Sequence, residues 1–169
     1  TYIIMMNHSS FLDVFIFPLV PKGIYSGITA KENFKIPVFS SLIRRIQAIP
    51  VDRNNTISAI DSIKKAESVL KQGIHIGILP EGTRTQDGQL GKLKKGGFHM
   101  AINTHTAIVP VGVSGAYMFK PKSRWWLRPG RITINIGSAI GPEAYEKLGI
   151  DGLKKKVENK LKILCGESH

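Results

Sequence analysis

The sequence predicts an α/β fold: a single domain in which helices flank a largely parallel central sheet. Its 169 residues suit one domain with a substantial core, and we expect that domain to occupy residues 1–169. Hydrophobic residues make up 42% of the chain and charged residues 21%, which is the composition of an ordinary globular protein. Short apolar segments of strand character alternate with helical segments almost throughout, and this alternation predicts parallel strands.

Six segments are expected to be strands, because each is a short apolar run that ends at polar, glycine or proline residues. In chain order they are residues 2–6, 24–30, 48–51, 75–79, 107–113 and 131–136. Ligands of parallel α/β sheets gather at the carboxyl ends of the strands. Polar residues that follow strands directly are therefore the first candidates for a site, namely His8, Arg53 and residues 81–84.

The intervening segments are expected to be helices. The first begins near Ser10 and ends near Pro18, since proline interrupts a helix. The second spans residues 38–46, and a short fourth helix runs through about residue 103. The third starts with Thr56 or Ser58 as its N-cap and stops at Gly73. Its apolar stripe consists of Ile57, Ile60, Ile63, Val69 and Leu70, and that of the lysine-rich closing helix of Leu153, Val157, Leu161 and Leu164.

The charge of the chain is far from balanced. Lys and Arg number 24 and Asp and Glu 12, which gives a formal net charge of +12. Such an excess predicts an acidic partner: nucleic acid, anionic lipid, a phosphorylated metabolite or an acidic carrier protein. Cys165 is the only cysteine, so no intrachain disulfide can form and a cysteine-based metal site is disfavoured. No apolar run reaches the roughly 20 residues of a membrane-spanning helix.

The first strand leads into the segment Asn-His-Ser-Ser-Phe-Leu-Asp, residues 7–13. On one regular helix His8 and Asp13 would lie on different faces, so they can meet only if His8 occupies the turn and Asp13 the first turn of the next helix. His8 is then a candidate base, and Asp13 a candidate group to orient its imidazole. A structural interpretation also fits, because Ser10 and Asp13 have the spacing of a helix capping box.

A second polar motif, Pro-Glu-Gly-Thr-Arg, follows the fourth strand at residues 80–84. Gly82 permits a tight turn, Thr83 supplies a hydroxyl, and the planar guanidinium of Arg84 suits phosphate. Glu81 is expected either to pair with the arginine or to bind a substrate hydroxyl. Without other motifs, the segment would be interpreted as a turn with a surface ion pair.

Four segments, taken in order, resemble the sequence blocks of glycerolipid acyltransferases. Residues 7–13 match the His-x4-Asp motif in its NHxSxxD form, and residues 79–84 resemble the third block. The second block is matched by residues 35–39 and 49–53, and the fourth by residues 108–111. One block alone is weak evidence, whereas the ordered set is specific. The chain most resembles 1-acylglycerol-3-phosphate (lysophosphatidate) acyltransferases.

The resemblance implies the glycerolipid acyltransferase fold and direct acyl transfer from acyl-CoA or acyl carrier protein to the free hydroxyl of lysophosphatidate, which gives phosphatidate in phospholipid biosynthesis, with neither metal nor further cofactor. His8 would take the proton of the acceptor hydroxyl, and Asp13 would orient His8. The residues implied to bind the acceptor phosphate are Glu81, Gly82, Thr83 and Arg84, assisted by Arg53 and by Lys31 or Lys35. Relatives carry amino-terminal membrane-binding helices, whereas this chain begins at the first strand. We therefore expect a fragment that acts at the cytoplasmic face of a membrane, attached peripherally or through a missing amino-terminal segment.

Residues 120–128, the basic–aromatic segment, interleave four cations with Trp125 and Trp126. The segment suits an anionic membrane surface, and equally a loop whose tryptophans cover the edge of the core. The identity of the acceptor and the role of the domain also stay open at this point. The acceptor could be another lysophospholipid or glycerol 3-phosphate, or the domain could bind anionic lipid without catalysis. Nucleic-acid binding rests on charge alone, and we expect none.

Overall fold

A computed structural model of the protein describes residues 1–37, 39–52 and 55–167. A six-stranded sheet forms its centre, with the order β3-β2-β4-β1-β5-β6. All neighbouring strands run parallel except β6, which pairs antiparallel with β5 at one edge. The strands are β1 Ile3–Met6, β2 Tyr25–Ala30, β3 Ile49–Val51, β4 His75–Ile78, β5 Ile108–Ser114 and β6 Thr133–Ile136. This arrangement confirms the predicted α/β fold with a largely parallel sheet.

Helices cover both faces of the sheet. They are α1 Asp13–Ile16, α2 Phe39–Arg45, α3 Thr56–Lys71, α4 Gly96–Thr104, α5 Ala116–Phe119 and α6 Pro142–Cys165, with 3-10 helices at Phe17–Leu19 and Lys31–Lys35. The three longest helices, α3, α4 and α6, pack on one face, whereas α1 and α5 pack on the other. The sheet has a core on each face because successive side chains of a strand point to opposite faces. In β1, for example, Ile3 and Met5 enter the first core and Ile4 and Met6 the second.

Two details of the third helix differ from the sequence-based prediction. Its N-cap is Asn55, whose side chain accepts from the backbone N–H groups of Ile57 and Ser58 at 3.0 and 3.1 Å, so neither Thr56 nor Ser58 caps it. The predicted apolar stripe is also wrong at its start, because Ile57 is 73% exposed and Ile60 is 51% exposed. The helix buries a neighbouring face instead, at Ser62, Ala66 and Leu70.

Other boundaries move by a few residues. The first helix begins at Asp13 rather than near Ser10, and α5 has no counterpart in the sequence-based prediction. The closing helix starts at Pro142 and is interrupted at Gly149, but its predicted residues Leu153, Val157 and Leu161 are fully buried. Within the described residues, no helix combines the length and apolar character that crossing a bilayer requires.

Candidate active site

The site lies where two neighbouring parallel strands, β1 and β4, end at the same edge of the sheet. The chain leaves β1 at Asn7 and His8 and leaves β4 just before Glu81. The two connections are bonded to each other on both sides of His8. The His8 N–H donates to Glu81 Oε1 at 2.6 Å, and the Thr85 N–H donates to the His8 carbonyl at 2.9 Å. The carboxyl ends of these parallel strands therefore bring His8 and residues 81–84 together, as the sequence predicted.

His8 and Asp13 meet as their spacing predicted. His8 Nδ1 lies 2.8 Å from Asp13 Oδ2, with the carboxylate fully buried and the His8 side chain 13% exposed. An ionised carboxylate only accepts hydrogen bonds, so Nδ1 donates and Nε2 is left to accept a proton. Nε2 has no hydrogen-bond partner among the residues that the structure describes.

The same carboxylate oxygen fixes the turn between the two residues. Asp13 Oδ2 also accepts from the backbone N–H groups of Ser9 at 2.7 Å and Ser10 at 2.9 Å. The carboxylate thus reaches back to Ser10 as in a capping box, but the reciprocal half is missing. The Ser10 hydroxyl instead donates to the Lys120 carbonyl at 2.9 Å. Three donors on one oxygen hold this acid in the orientation that the His8 ring requires.

Asn7 anchors the turn to the neighbouring strand. Its side-chain amide donates to the Val113 carbonyl at 2.9 Å and accepts from the Val113 N–H at 2.7 Å. Asn7 is 5% exposed, so both bonds are buried. The side chain supplies the rung that a strand backbone would otherwise make with β5. The backbone is thereby free to leave the sheet and turn towards Asp13 without stranding the polar groups of Val113.

Glu81 does not pair with Arg84. Its Oε1 accepts from His8, and its Oε2 accepts from the Gly91 N–H at 2.8 Å. Burial raises the pKa of the Glu81 carboxyl, while these two N–H donors lower it in part. Both oxygens are occupied by backbone groups. The pairing with the arginine, one of the two expected roles of Glu81, is therefore wrong, and Glu81 holds the backbone of His8 and the loop at Gly91.

Two clefts open at this edge of the sheet. An apolar cleft of about 460 Å³ is lined by His8, Phe11, Phe15 and Ile36 among others, and a polar cleft of about 590 Å³ by Glu81, Asp87 and Lys92 among others. Thr83 and Arg84 line both clefts. Arg84 makes no hydrogen bond or ion pair with another described residue. Its guanidinium therefore stands between the two clefts with its N–H donors available to a ligand.

A smaller cavity of about 90 Å³ continues from the wall of the apolar cleft towards the sheet. Val14, Phe39 and Leu42 line both spaces. Phe17 lies at the sheet, and a Cβ added at Gly77 would stand 2.1 Å from its ring. Glycine is required there because the ring lies directly against the backbone of β4.

The remaining predicted residues are placed differently. Gly82 adopts a left-handed φ of +76° and packs against the Lys94 side chain, as the predicted tight turn requires. Lys31 forms an ion pair with Asp52, and neither Lys31 nor Lys35 lines either cleft. Arg53 lies outside the described residues. Across the described part of the chain, no cluster of His, Cys, Asp and Glu side chains could hold a metal ion.

Two cations at the clefts were not among the predicted site residues. Lys92 lines the polar cleft and Lys122 the apolar cleft. Lys122 belongs to the basic–aromatic segment, and the composition of that segment does not reveal that it reaches the cleft that His8 also lines. Lys95 lines neither cleft and forms an ion pair with Asp151, whose Oδ1 lies 2.7 Å from the Lys95 Nζ.

The comparison with protein families identifies the family of the chain. A family model described as Acyltransferase matches residues 1–114, which include β1 to β5 and every residue of both clefts except Lys122. The chain belongs to this acyltransferase family. The acyltransferase resembles a 1-acyl-sn-glycerol-3-phosphate acyltransferase from Cocos nucifera, at 36% identity over 86% of this chain and 47% of the relative. It resembles one from Pseudomonas aeruginosa at 30% identity over 92% of this chain and 60% of the relative.

A solved structure carries the same architecture. The crystal structure of the 1-acyl-sn-glycerophosphate (LPA) acyltransferase PlsC from Thermotoga maritima matches with a TM-score of 0.84 and 28% sequence identity. The match covers 99% of this acyltransferase and 66% of that chain. The chain spans about half the length of the first relatives it matches, at 47% and 56%.

Proposed function

We propose that this acyltransferase moves a fatty acyl group from a thioester donor, acyl-CoA or acyl carrier protein, to the free hydroxyl of 1-acylglycerol 3-phosphate, and so makes phosphatidate. One observation carries the proposal. The His8–Asp13 pair opens onto an apolar cleft whose polar margin presents an unengaged arginine, Arg84. Such an acceptor requires a base for its hydroxyl, an apolar surface for its acyl chain and a guanidinium for its phosphate. The names of the relatives support the same acceptor.

The proposed chemistry is one direct transfer. His8 Nε2 accepts the proton of the acceptor hydroxyl as that oxygen attacks the thioester carbonyl. The C–O bond of the new ester forms, the C–S bond breaks, and the imidazolium returns its proton to the departing thiolate. Asp13 keeps Nδ1 protonated and stabilises the imidazolium, because its carboxylate lies 2.8 Å from that nitrogen.

Recognition is proposed to divide between the two clefts. Arg84 holds the acceptor phosphate with its two-pronged guanidinium, and Lys92 adds positive charge in the polar cleft. Acyl chains would lie in the apolar cleft against Phe11 and Phe15, and the cavity beyond Val14 would take a chain end. Action at the cytoplasmic face of a membrane remains part of this proposal.

The test follows thiol release from acyl-CoA in the presence of vesicles, with and without lysophosphatidate, for the wild type and His8→Ala. We expect release that depends on lysophosphatidate and falls by about 10²- to 10⁴-fold in His8→Ala. Acyl carrier protein as donor, and glycerol 3-phosphate or other lysophospholipids as acceptors, then define the carrier and the headgroup. Thiol release that persists in His8→Ala would contradict the proposal. So would thiol release that does not depend on an acceptor with either donor.

A further inference from the structure

The basic–aromatic segment has an unusual surface for a connection between a helix and a strand. Trp125 is 85% exposed, Trp126 53% and Leu127 59%. The tryptophans therefore do not cover the edge of the core, and that interpretation of the segment is wrong. Single exposed apolar residues are normal on proteins, but three consecutive ones with two indoles form a protruding patch that calls for an explanation.

The segment is held in a defined shape by two of its own cations. The Arg124 guanidinium donates to the carbonyls of Met118 and Phe119 at 2.6 and 2.9 Å, and to that of Trp126 at 3.2 Å. It also lies 5.6 Å from the centre of the Trp126 ring. The Lys120 ammonium donates to the Pro121 and Arg124 carbonyls. The exposed indoles are thus presented by a folded loop, which lowers the entropy lost when they contact a partner.

Uncompensated positive charge surrounds the patch. Lys122 and Arg128 are exposed beside the tryptophans, and the sequence contains no Asp or Glu between Asp87 and Glu143. The partner must therefore carry negative charge together with an apolar layer that admits indole rings. Anionic lipid bilayers have this combination at their interface, where tryptophan and arginine both concentrate. An acidic protein would satisfy the cations but would not need two protruding indoles.

The patch lies on the segment that also contributes to the apolar cleft. Lys122 lines the apolar cleft with His8, and the Lys120 carbonyl accepts from Ser10 in the turn that holds His8. Phe11, Phe15 and Ile36 on the same cleft are each about half exposed, at 50%, 49% and 49%. A bilayer that contacts the tryptophans would therefore also meet the mouth of the cleft.

We propose that the basic–aromatic segment docks this acyltransferase on anionic bilayers, with Trp125 and Trp126 inserted at the interface and Lys122 and Arg128 against the headgroups. The docking rests on the proposed function only in that lysophosphatidate and phosphatidate are membrane amphiphiles. It delivers the open cleft to the lipid surface, so that an acceptor can enter without crossing water.

The test is sedimentation of the purified protein with vesicles of phosphatidylcholine alone or mixed with equal parts of phosphatidylglycerol. For Trp125→Ala/Trp126→Ala we expect binding to the acidic vesicles to fall by about tenfold or more, since each indole contributes apolar area. Arg128→Glu is expected to lower it by at least about fivefold. The matched controls are Ile24→Ala/Ile136→Ala, exposed apolar residues that line neither cleft and lie outside the basic–aromatic segment, and Lys155→Glu on α6. Both variants should bind like the wild type.

Equal losses in the controls, or undiminished binding of the tryptophan variant, would overturn the docking proposal. A different outcome is that the tryptophan variant binds vesicles normally but turns over more slowly only when acyl carrier protein is the donor. That outcome would assign the surface to the carrier and would also overturn the docking proposal. Turnover of a short-chain, water-soluble lysophosphatidate should be unchanged in the tryptophan variant. If no protein turns over lysophosphatidate, the proposed function fails, but the vesicle comparison still decides the docking.

Discussion

Two connections that meet at one edge of the sheet are built in opposite ways. The turn after β1 is fixed by hydrogen bonds of both side chains and backbone: Asn7 bonds to β5, the backbone of His8 bonds to Glu81 and Thr85, and the His8 ring bonds to Asp13. Two buried atoms of this turn, Ser9 Oγ and Asp13 Oδ1, have no partner among the described residues. The turn after β4 engages Glu81 in the same manner, but leaves Arg84 without a partner in the described structure. A base must keep a fixed geometry to transfer a proton, whereas a phosphate-binding cation needs free donors until its ligand arrives. Under the proposed function, the first connection would serve the chemistry and the second the recognition of the acceptor.

The strongest way to break the contrast is to release the first turn from β5. Asn7→Ala removes two buried hydrogen bonds and strands both the N–H and the carbonyl of Val113. We expect the free energy of unfolding to fall by about 2–6 kcal/mol, because two buried groups lose their partner and each costs about 1–3 kcal/mol. Denaturant unfolding of the wild type and the variant measures this difference in free energy.

Asn135→Ala is the matched control. Asn135 also donates its side-chain amide to a backbone carbonyl, that of Leu164 at 2.8 Å, but on the exposed surface. Water can replace that bond, so the expected loss is below about 1 kcal/mol. Equal losses in the two variants would mean that Asn7 is an ordinary polar residue rather than an anchor.

A smaller effect is expected from Glu81→Gln, which keeps the shape but leaves only one acceptor oxygen. Its amide group must then face an N–H, either that of His8 or that of Gly91. We expect unfolding free energy to fall by about 1–3 kcal/mol and turnover to decline with little change in the KM for acceptor.

Glu167→Gln serves as its control, because Glu167 accepts a single N–H, that of Leu90, at 2.8 Å. A glutamine can keep that bond with its remaining oxygen, so stability and turnover should stay near those of the wild type. A rise in acceptor KM alone in Glu81→Gln would instead assign Glu81 to substrate binding.

The sequence predicted those parts of the site that depend on strand ends and local spacing. His8 and Asp13 meet because five residues span a turn and the start of a helix, and β1 and β4 bring the two motifs together because they are parallel neighbours. The partners of Glu81 could not be predicted, since they are backbone N–H groups far apart in the chain. No side-chain pattern records where a backbone group points.

The exposed side chains show the same limit. A helical stripe predicted Ile57 and Ile60 to be buried, but periodicity identifies an apolar face without saying whether anything packs on it. The tryptophans of the basic–aromatic segment fitted a core edge and a membrane interface equally well from composition. Their exposure depends on the carbonyls that Arg124 binds, which are set only by the tertiary structure.

The most direct test of the division between the two connections compares two acceptors, lysophosphatidate and the uncharged 1-monoacylglycerol, in the wild type, Arg84→Ala and His8→Ala. Arg45→Ala is the control, because Arg45 lines neither cleft. We predict that Arg84→Ala lowers kcat/KM for lysophosphatidate by about ten- to a hundredfold and leaves that for monoacylglycerol unchanged. His8→Ala should lower kcat for both. Equal losses for both acceptors in Arg84→Ala would contradict the account, because Arg84 would then support the chemistry rather than recognise the phosphate.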